Sequence, residues 1–311
     1  MKLGFIGAGA IAAVHAEALK SLHRVDIVAW SSRRAESAQK RAQQFGGEPM
    51  PLDAMLARRD IDAVVICSPT HLHLEHVRAA VQAGKKVFCE KPLARTLEEC
   101  EQIRRLGEGR VYVGHVLRFF HAYQQSHEIV RRGDLGQVQR IACHRLNSIP
   151  EGSQNWFLDF EKSGGVILDL IIHDFDWLLW TFGEPDDIRV EVDAHKDPHG
   201  VRHALVHWHW NDGKQATVEG SWLHDGFEQR FRIEATEGYI ENRPGERPEL
   251  LIARGESEKH VPLRGLPDPY ALQMLHFLDW LAGRHRPRVS LEEATRAVAV
   301  ALKAIEHLPN A

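Results

Sequence analysis

Short apolar runs alternate with helical patterns through the first third of the chain. The apolar runs are nearly unbroken, which is typical of strands buried on both faces of a parallel sheet. They lie at residues 2–6, 25–30, 61–67, 86–89 and 110–113, with helical patterns between them at 10–22, 36–45 and 74–83. This order predicts βαβ units and a doubly wound parallel sheet in a first domain over residues 1–117.

Beyond residue 117 the strands become longer and alternate between apolar and polar positions. In residues 201–210, Ala204, Val206 and Trp208 fall on one face and histidines fall on the other, as in a sheet covered on one side. Further strands are predicted at 137–146, 214–222, 229–235, 239–241 and 249–253. About six strands are thus expected in a large open, mainly antiparallel sheet, which with closing helices forms an α+β domain over residues 118–311.

The composition is typical of an ordinary globular protein, and its charge leads us to expect a small molecule as partner. Its 311 residues are 43% hydrophobic and 26% charged, with a formal net charge of -4, so neither disorder nor a fibrous repeat is indicated. Without a concentrated basic surface, we expect neither a nucleic acid nor an anionic membrane as partner.

The four cysteines are scattered and form no CxxC pair, so we expect reduced thiols rather than a disulfide framework or a zinc site. No apolar run has the length of a signal peptide core or of the roughly 18 residues that a membrane span needs. The sequence therefore predicts a cytoplasmic protein.

A glycine-rich turn follows the first predicted strand and opens the first predicted helix. It reads Gly7-Ala8-Gly9-Ala10-Ile11-Ala12, which is the GxGxxA form of the dinucleotide fingerprint. Any strand-turn-helix unit can carry two glycines. The position inside a βαβ unit nevertheless favours a dinucleotide bound by Gly7, Gly9, Ala10 and Ile11.

The end of the second predicted strand bears on which dinucleotide is bound. An Asp or Glu there would hold the ribose hydroxyls of NAD, but this chain has Ser31, Ser32 and Arg33, followed by Arg34. Hydroxyl and guanidinium groups suit a 2'-phosphate, so NADP is favoured over NAD. The alternative is that the two arginines only form the solvated first turn of the next helix.

Several further motifs together resemble the Gfo/Idh/MocA family, named for glucose-fructose oxidoreductase and inositol 2-dehydrogenase. Beside the glycine turn, the resemblance rests on the following stretches: Ser68-Pro69-Thr70-His71-Leu72-His73, Glu90-Lys91-Pro92, Gly114 to Phe119 with Arg118-Phe119, Gly133 to Val138, and Trp156 before Gly164-Gly165. These motifs span nearly the whole chain, and their combination is far more specific than any one of them.

The resemblance implies a Rossmann domain, a nicotinamide cofactor, and a second domain whose sheet is often used for contacts in a homodimer or homotetramer. It implies that Lys91 is the family's signature lysine and that the Lys91–Pro92 bond is often cis. It also implies cofactor contacts for the residues near these motifs. Those residues are Ser68, Pro69, Thr70, His73, Glu90, Lys91 and Pro92.

One buried helix with ionisable residues is predicted over residues 166–180. At 3.6 residues per turn, Asp169, His173 and Asp176 share one face, whereas Asp174 points elsewhere. Buried charges need partners or a cleft. The Asp169-x-x-x-His173 pair resembles the family's catalytic pair, and the run that follows His173 resembles inositol dehydrogenases and their relatives. The alternative is that Asp169 and His173 are a structural pair in the core, with their hydrogen bonds satisfied inside the protein and no catalytic role.

Chemistry assigns roles to these groups. The ordinary pKa of histidine lies near neutrality, so His173 can accept a hydroxyl proton while a hydride leaves the adjacent carbon. Asp169 would orient or polarise the pair. Lys91 would hydrogen-bond the same substrate oxygen and favour its alkoxide-like state during transfer. Asp176, Trp156 and Arg118 are candidate substrate contacts, although Arg118 could equally form an interdomain salt bridge.

Other features are set aside. His71, His73 and His76 lie close together, but no carboxylate or cysteine completes a ligand set, so no metal is predicted. Trp208 and Trp210 are interpreted as packing or a subunit interface rather than a sugar platform.

The predicted function is an NAD(P)-dependent dehydrogenase or reductase. It would act on a secondary alcohol or ketone, or a hemiacetal or lactone, of a sugar, inositol or related polyol. One alternative is a sugar–sugar oxidoreductase that retains its cofactor. The other is a non-catalytic NAD(P)H sensor, against which the set of Lys91, Asp169 and His173 counts.

Overall fold

The structure is a computed structural model that describes residues 1–150, 153–192 and 201–308. The strands in chain order are β1 Lys2–Ile6, β2 Asp26–Ser31, β3 Glu48–Pro49, β4 Ala63–Ile66, β5 Lys86–Glu90, β6 Val111–Gly114, β7 Val138–Ser148, β8 Asp187–Val192, β9 His203–His209, β10 Gln215–Ser221, β11 Leu223–Ala235, β12 Gly238–Arg243, β13 Glu249–Arg254 and β14 Ser257–Pro262. The α-helices are α1 Ala10–Ser21, α2 Ala35–Phe45, α3 Leu52–Ala57, α4 His73–Gln82, α5 Leu97–Gly107, α6 His121–Arg132, α7 Phe160–Ser163, α8 Gly165–Asp169, α9 Ile172–Phe182, α10 Pro269–Leu281 and α11 Leu291–Glu306.

The first sheet contains six parallel strands in the order β3-β2-β1-β4-β5-β6. This is the strand order of a Rossmann fold, and it confirms the predicted doubly wound sheet. Strands β1 and β4 to β6 are almost entirely buried, which explains why their sequences read as unbroken apolar runs. The two-residue edge strand β3 and the short helix α3 were not predicted.

The chain divides by packing into two compact units. The first comprises residues 1–116 and 267–298, and the second comprises 117–266 and 299–311. The first division lies within a residue or two of the predicted boundary, but the predicted assignment of all of 118–311 to one domain differs from this packing. The chain returns to the first unit because the apolar side chains of α10, among them Met274, Phe277 and Leu278, join its hydrophobic core.

The second sheet has eight strands in the order β14-β13-β12-β11-β7-β10-β9-β8. All its neighbouring strands are antiparallel except β7 and β10, so the predicted class of sheet is confirmed. The expected size of about six strands was too small. Strands β8 and β14 were missed because they lie at the two edges and carry mostly exposed or half-buried residues, which removes the apolar alternation that marks a half-buried strand.

Aromatic side chains attach α9 to the covered face of this sheet. The ring of Phe175 lies 5.1 Å from that of Trp208, and Trp177 lies 4.9 Å from Phe231. Trp208 is fully buried and Trp210 nearly so. The interpretation of these two tryptophans as packing residues is therefore confirmed.

Two further predictions concern composition. All four cysteines are free and buried, which agrees with the prediction of reduced thiols, and burial raises the pKa of the Cys67 and Cys89 thiols. None of the helices formed by the described residues is both long and apolar enough to cross a membrane.

Candidate active site

The glycine turn joins β1 to α1 with a backbone that only glycine can adopt at its first position. Gly7 has φ of +101°, and a Cβ there would lie 2.5 Å from the carbonyl carbon and oxygen of Cys67. The Gly7 amide donates to the carbonyl of Ser31 over 2.8 Å. The turn is thus packed against the carboxyl ends of β2 and β4, which is where open α/β sheets bind ligands.

Gly9 is not required by packing inside the protein. A Cβ at Gly9 would meet no heavy atom within 4 Å. Gly9 is also the N-cap of α1 and provides no side-chain cap, so no side chain of the N-cap residue occupies the first amides of the helix. An open backbone surface beside a helix N-terminus fits a pyrophosphate group.

Arg41 adds positive charge to this turn. From α2, its Nε donates to the carbonyl of Ala8 over 3.3 Å and its Nη2 donates to the carbonyl of Gly9 over 3.0 Å. The guanidinium therefore ties the carbonyls of Ala8 and Gly9 to α2 through hydrogen bonds. Sequence reasoning missed Arg41, because its position in the middle of α2 gives no sign that it contacts a loop more than thirty residues earlier.

The basic residues after β2 lie at the start of α2. Ser31 is buried at the end of β2, Arg33 and Arg34 are exposed, and Arg34 is the N-cap residue of α2. Arginine at a helix N-terminus is electrostatically unfavourable unless an anion is nearby, since this end of the helix carries partial positive charge.

The Ser68–His73 loop is fastened to the end of β5 by the imidazole of His73. Its Nδ1 lies 2.8 Å from the carbonyl oxygen of Pro92, and its Nε2 lies 2.9 Å from that of Ser68. Burial lowers the pKa of His73, whereas the two carbonyls favour the doubly protonated ring. Because both nitrogens contact backbone, His73 shapes the loop on which Pro69 and the buried Thr70 lie.

The Glu90-Lys91-Pro92 segment leaves β5 at the same edge of the sheet. The Lys91–Pro92 peptide bond is cis, as the family resemblance implied. Glu90 is only 5% exposed; its Oε1 lies 2.5 Å from Nε2 of the fully buried His15, and its Oε2 accepts the Lys91 amide over 3.0 Å. Burial alone would raise the pKa of Glu90, but the hydrogen bond and charge of His15, with Lys91, hold it below its usual value.

In the second unit, the predicted single helix over 166–180 is wrong. Helix α8 ends at Asp169 and α9 begins at Ile172, and the amide of Ile171 donates to the carbonyl of Val166, five residues earlier. Such a widened turn is typical of functional sites. Regular spacing therefore does not place Asp169 and His173 on one helix face; they lie on either side of the break, with Asp169 7% exposed and His173 half-buried.

The other two carboxylates of this segment form buried ion pairs. Asp174 accepts two bonds from Arg145, over 2.5 and 3.0 Å, and Asp176 accepts two from Arg118, over 3.0 and 2.7 Å. Asp174 thus points elsewhere than Asp176, as predicted. Arg118 and Asp176 are 2% and 1% exposed, and they lie in the same packing unit.

The segment before α8 is shaped by two glycines. Gly164 ends α7 with φ of +72°, and a Cβ on Gly165 would lie 2.8 Å from the Val201 carbonyl. Local turn geometry and close packing therefore account for both residues. Trp156 is half-buried and its ring lies 4.0 Å from that of Phe157, which contacts Trp222 in turn.

The candidate residues thus form two groups, one in each packing unit. In the first unit, the glycine turn, the Ser68–His73 loop and Lys91 meet at the carboxyl edge of the parallel strands. In the second unit, Asp169 and His173 flank the break between α8 and α9. Among the described residues, no group of three or more His, Cys, Asp or Glu side chains is arranged to hold a metal ion.

These features define a two-domain protein built on a Rossmann fold with a glycine turn at the carboxyl edge of its sheet. Residues 1–114 match the model of the oxidoreductase family with an NAD-binding Rossmann fold, and residues 123–241 match that of the GFO/IDH/MocA C-terminal domain. An inositol 2-dehydrogenase of Rhizobium meliloti strain 1021 is 30% identical over 275 residues, which cover 85% of this chain and 82% of that protein. The chain belongs to the Gfo/Idh/MocA family.

Solved structures agree with this assignment. A putative myo-inositol dehydrogenase of Sinorhizobium meliloti 1021 superposes with a TM-score of 0.80 at 25% identity, covering 99% of this chain and 97% of the other. A 3-ketoreductase of Actinomadura kijaniata, in complex with NADP and TDP-benzene, superposes with a TM-score of 0.84 at 22% identity over the same shares; this second likeness concerns the fold.

The pH dependence of stability tests the environment of the Ser68 loop. His76, whose Nδ1 lies 2.8 Å from the Ser68 hydroxyl, has its pKa lowered from 6.5 to about 4 by burial and by the charges of His73 and His71. The unfolded chain takes up this proton near pH 6.5 and the folded chain only near pH 4. The free energy of unfolding should therefore fall by up to about 3 kcal/mol across that window as the pH decreases.

Urea unfolding of His76→Asn between pH 7 and 4 should show a shallower loss of stability than the wild type. The exposed His23 offers the matched control, His23→Asn, which should keep the wild-type slope. Equal slopes for wild type and His76→Asn would contradict the buried, neutral state of this imidazole.

Proposed function

We propose that the protein catalyses reversible hydride transfer between a secondary alcohol of a sugar, inositol or related polyol and the nicotinamide of NADP or NAD. The observation that carries the proposal is the glycine turn, because its shape is required at Gly7 while the space beside Gly9 is left open. The similarity to an inositol 2-dehydrogenase supports the substrate class. A hemiacetal, oxidised to a lactone, has the same reacting group.

The cofactor would be held by the edge of the first sheet. Gly7, Gly9, Ala10 and Ile11 would present backbone to the pyrophosphate at the start of α1. The other proposed contacts are Ser31, Ser32, Arg33, Ser68, Pro69, Thr70, His73, Glu90, Lys91 and Pro92. When bound, the nicotinamide accepts or donates the hydride.

The protein's own side chains would manage the proton. In alcohol oxidation, His173 accepts the hydroxyl proton as the carbon loses its hydride, so that the carbonyl product forms with no net gain of charge on oxygen. Lys91 donates a hydrogen bond to the same oxygen and stabilises its alkoxide-like charge. Asp169 orients His173, and in ketone reduction His173 returns the proton.

Trp156, Arg118 and Asp176 are proposed as substrate-binding residues in the second unit. Arg118 and Asp176, a residue of α9, form a bidentate ion pair. They would therefore contact the substrate as one fixed pair of opposite charges. We also propose that the chain forms a homodimer or homotetramer through its eight-stranded sheet, because the face of β9 opposite Trp208 carries half-buried histidines.

Replacement of the proposed base tests the mechanism. Purified protein is screened with NADP and NAD against inositols, aldoses and uronates, and the best substrate is used for variants. His173→Asn should lower kcat by roughly 100- to 10,000-fold, the usual contribution of a general base, while the Kd for NADPH stays at the wild-type value.

The exposed His260, on β14, offers a matched control, and His260→Asn should leave kcat unchanged. Loss of NADPH binding in His173→Asn, with kcat preserved at saturation, would overturn the assignment of this residue as the base. A retained cofactor through gel filtration, with exchange between two sugars, would favour the sugar–sugar oxidoreductase instead.

The preference for NADP rests on the arginines at the start of α2 and is tested by cofactor binding. The double variant Arg33→Ala, Arg34→Ala should weaken NADPH binding by at least about tenfold, corresponding to 1.4 kcal/mol, and leave NADH binding nearly unchanged. Fluorescence titration measures both constants.

The exposed Arg59, at the opposite edge of the sheet before β4, provides the control variant Arg59→Ala. It should change neither constant. Equal weakening of NADPH and NADH in the double variant would show that these arginines do not contact a 2'-phosphate.

A further inference from the structure

A buried chain of hydrogen bonds connects α1 to the backbone of Lys91. His15, on α1, is fully buried, and its Nε2 lies 2.5 Å from Oε1 of Glu90. The second carboxylate oxygen, Oε2, accepts the backbone amide of Lys91 over 3.0 Å. One carboxylate therefore joins the helix that begins at the glycine turn to the residue at the carboxyl end of β5.

The hydrogen-bonding role of each ring nitrogen of His15 follows from its surroundings. Its Nδ1 is buried and has no hydrogen-bond partner among the described residues, whereas its Nε2 faces a carboxylate, which only accepts. The imidazole therefore donates from Nε2. Its ring is fixed edge-on against Phe88 of β5 and Tyr270 of α10, at centroid distances of 5.0 and 5.7 Å, so its direction is set by packing on both sides.

The neighbouring strand leaves room for this carboxylate. A Cβ on Gly114, at the end of β6, would lie 3.1 Å from Oε1 of Glu90 and 2.8 Å from the ring of Phe88. Glycine at this position thus allows Glu90 to stay beside His15. A buried carboxylate with two donors on separate oxygens is costly to move, because each donor would lose its acceptor.

We propose that His15 and Glu90 are positioning residues that fix the backbone of Lys91, and through it the direction of the Lys91 ammonium group. This proposal rests on the proposed function, in which Lys91 contacts the reacting oxygen. In this scheme His15 touches neither substrate nor cofactor, and Glu90, although a proposed cofactor contact, does not touch the substrate. A misplacement of the ammonium by about 1 Å would cost on the order of 100-fold in rate, so we expect replacement of His15 to lower kcat more than it weakens cofactor binding.

The position of Lys91 can be read without any substrate. Reductive methylation with 13C-formaldehyde labels lysines while keeping their charge, and Lys91→Arg identifies the Lys91 signal in the carbon–proton NMR spectrum. His15→Ala should shift and broaden this signal, while the signal of Lys86, at the start of the same strand, stays in place. His15→Gln should restore the Lys91 signal, since its amide can donate to Glu90.

A matched control is His276→Ala, because His276 is also a histidine of the first unit with a ring contact and a hydrogen bond, both of which it makes to Tyr112. It should leave the Lys91 signal unchanged. Should His15→Ala not fold, Glu90→Ala removes the same connection from its other end and should disturb Lys91 in the same way.

Two further measurements separate positioning from general destabilisation. In His15→Ala the Kd for NADPH should stay within about threefold of the wild type, below the tenfold that 1.4 kcal/mol would produce. With the best polyol found for the wild type, kcat should fall by roughly tenfold or more and KM should change little.

An unchanged Lys91 signal in both His15→Ala and Glu90→Ala would overturn the proposal, and so would a shift in His276→Ala of equal size. Failure of the proposed function has a different signature. In that case the wild-type protein would bind no NADPH, or the Lys91→Arg and His173→Asn variants would turn over substrate at the wild-type rate. Either result would hold whatever the NMR spectra of the His15 variants show.

Discussion

The burial of charge at the ends of strands and helices is the constraint on which this site depends. A carboxylate inside a protein costs several kcal/mol unless donors surround it. Glu90, Asp174 and Asp176 each satisfy this demand with a defined partner, respectively His15, Arg145 and Arg118. Each partner comes from a different element, so each pair also fixes two elements together.

These pairs have a direct consequence for function. The segment around His173 contains four ionisable groups, and the arginine pairs account for two of them as parts of the scaffold. Asp169 and His173 are the two that flank the widened turn between α8 and α9. In the first unit, His73 and Glu90 have comparable roles on either side of Lys91, since one contacts the Pro92 carbonyl and the other the Lys91 amide. The groups proposed for chemistry are therefore adjacent in sequence to groups that hold the backbone rigid.

Much of the fold was predictable because the burial of a strand determines its pattern of apolar and polar residues. Strands β1 and β4 to β6 of the first sheet are buried on both faces and the strand pair β9 and β10 on one, and both patterns were interpreted correctly. The edge strands β8 and β14 are mostly exposed or half-buried and show neither an apolar run nor a clear alternation. The break at Leu170 and Ile171 could not be predicted either, because both residues are apolar and buried and fit a continuous helix as well as an interrupted one.

The local geometry of the candidate site was predictable where it depends on short motifs and not where it depends on distant pairing. The turn at Gly7 and the cis bond before Pro92 were expected from a short motif and from the family resemblance. The contacts of His15 and Arg41 were not expected, because each looks like an ordinary helical residue. The partner of His15 is Glu90, which lies 75 residues later in the chain. The two partners of Arg41, Gly9 and Ala8, lie 32 and 33 residues earlier. A spacing rule within one element cannot detect such contacts.

The central claim is that Lys91 and His173 act on one substrate oxygen beside a nicotinamide held at the glycine turn. A crystal structure of the protein with NADPH and a polyol substrate tests it most directly. We expect the pyrophosphate against the amides of Gly9 and Ala10, and the Lys91 ammonium and the His173 imidazole within hydrogen-bond distance of the same hydroxyl. A polyol whose reactive hydroxyl is bound by neither residue, or a dinucleotide bound away from this turn, would contradict it.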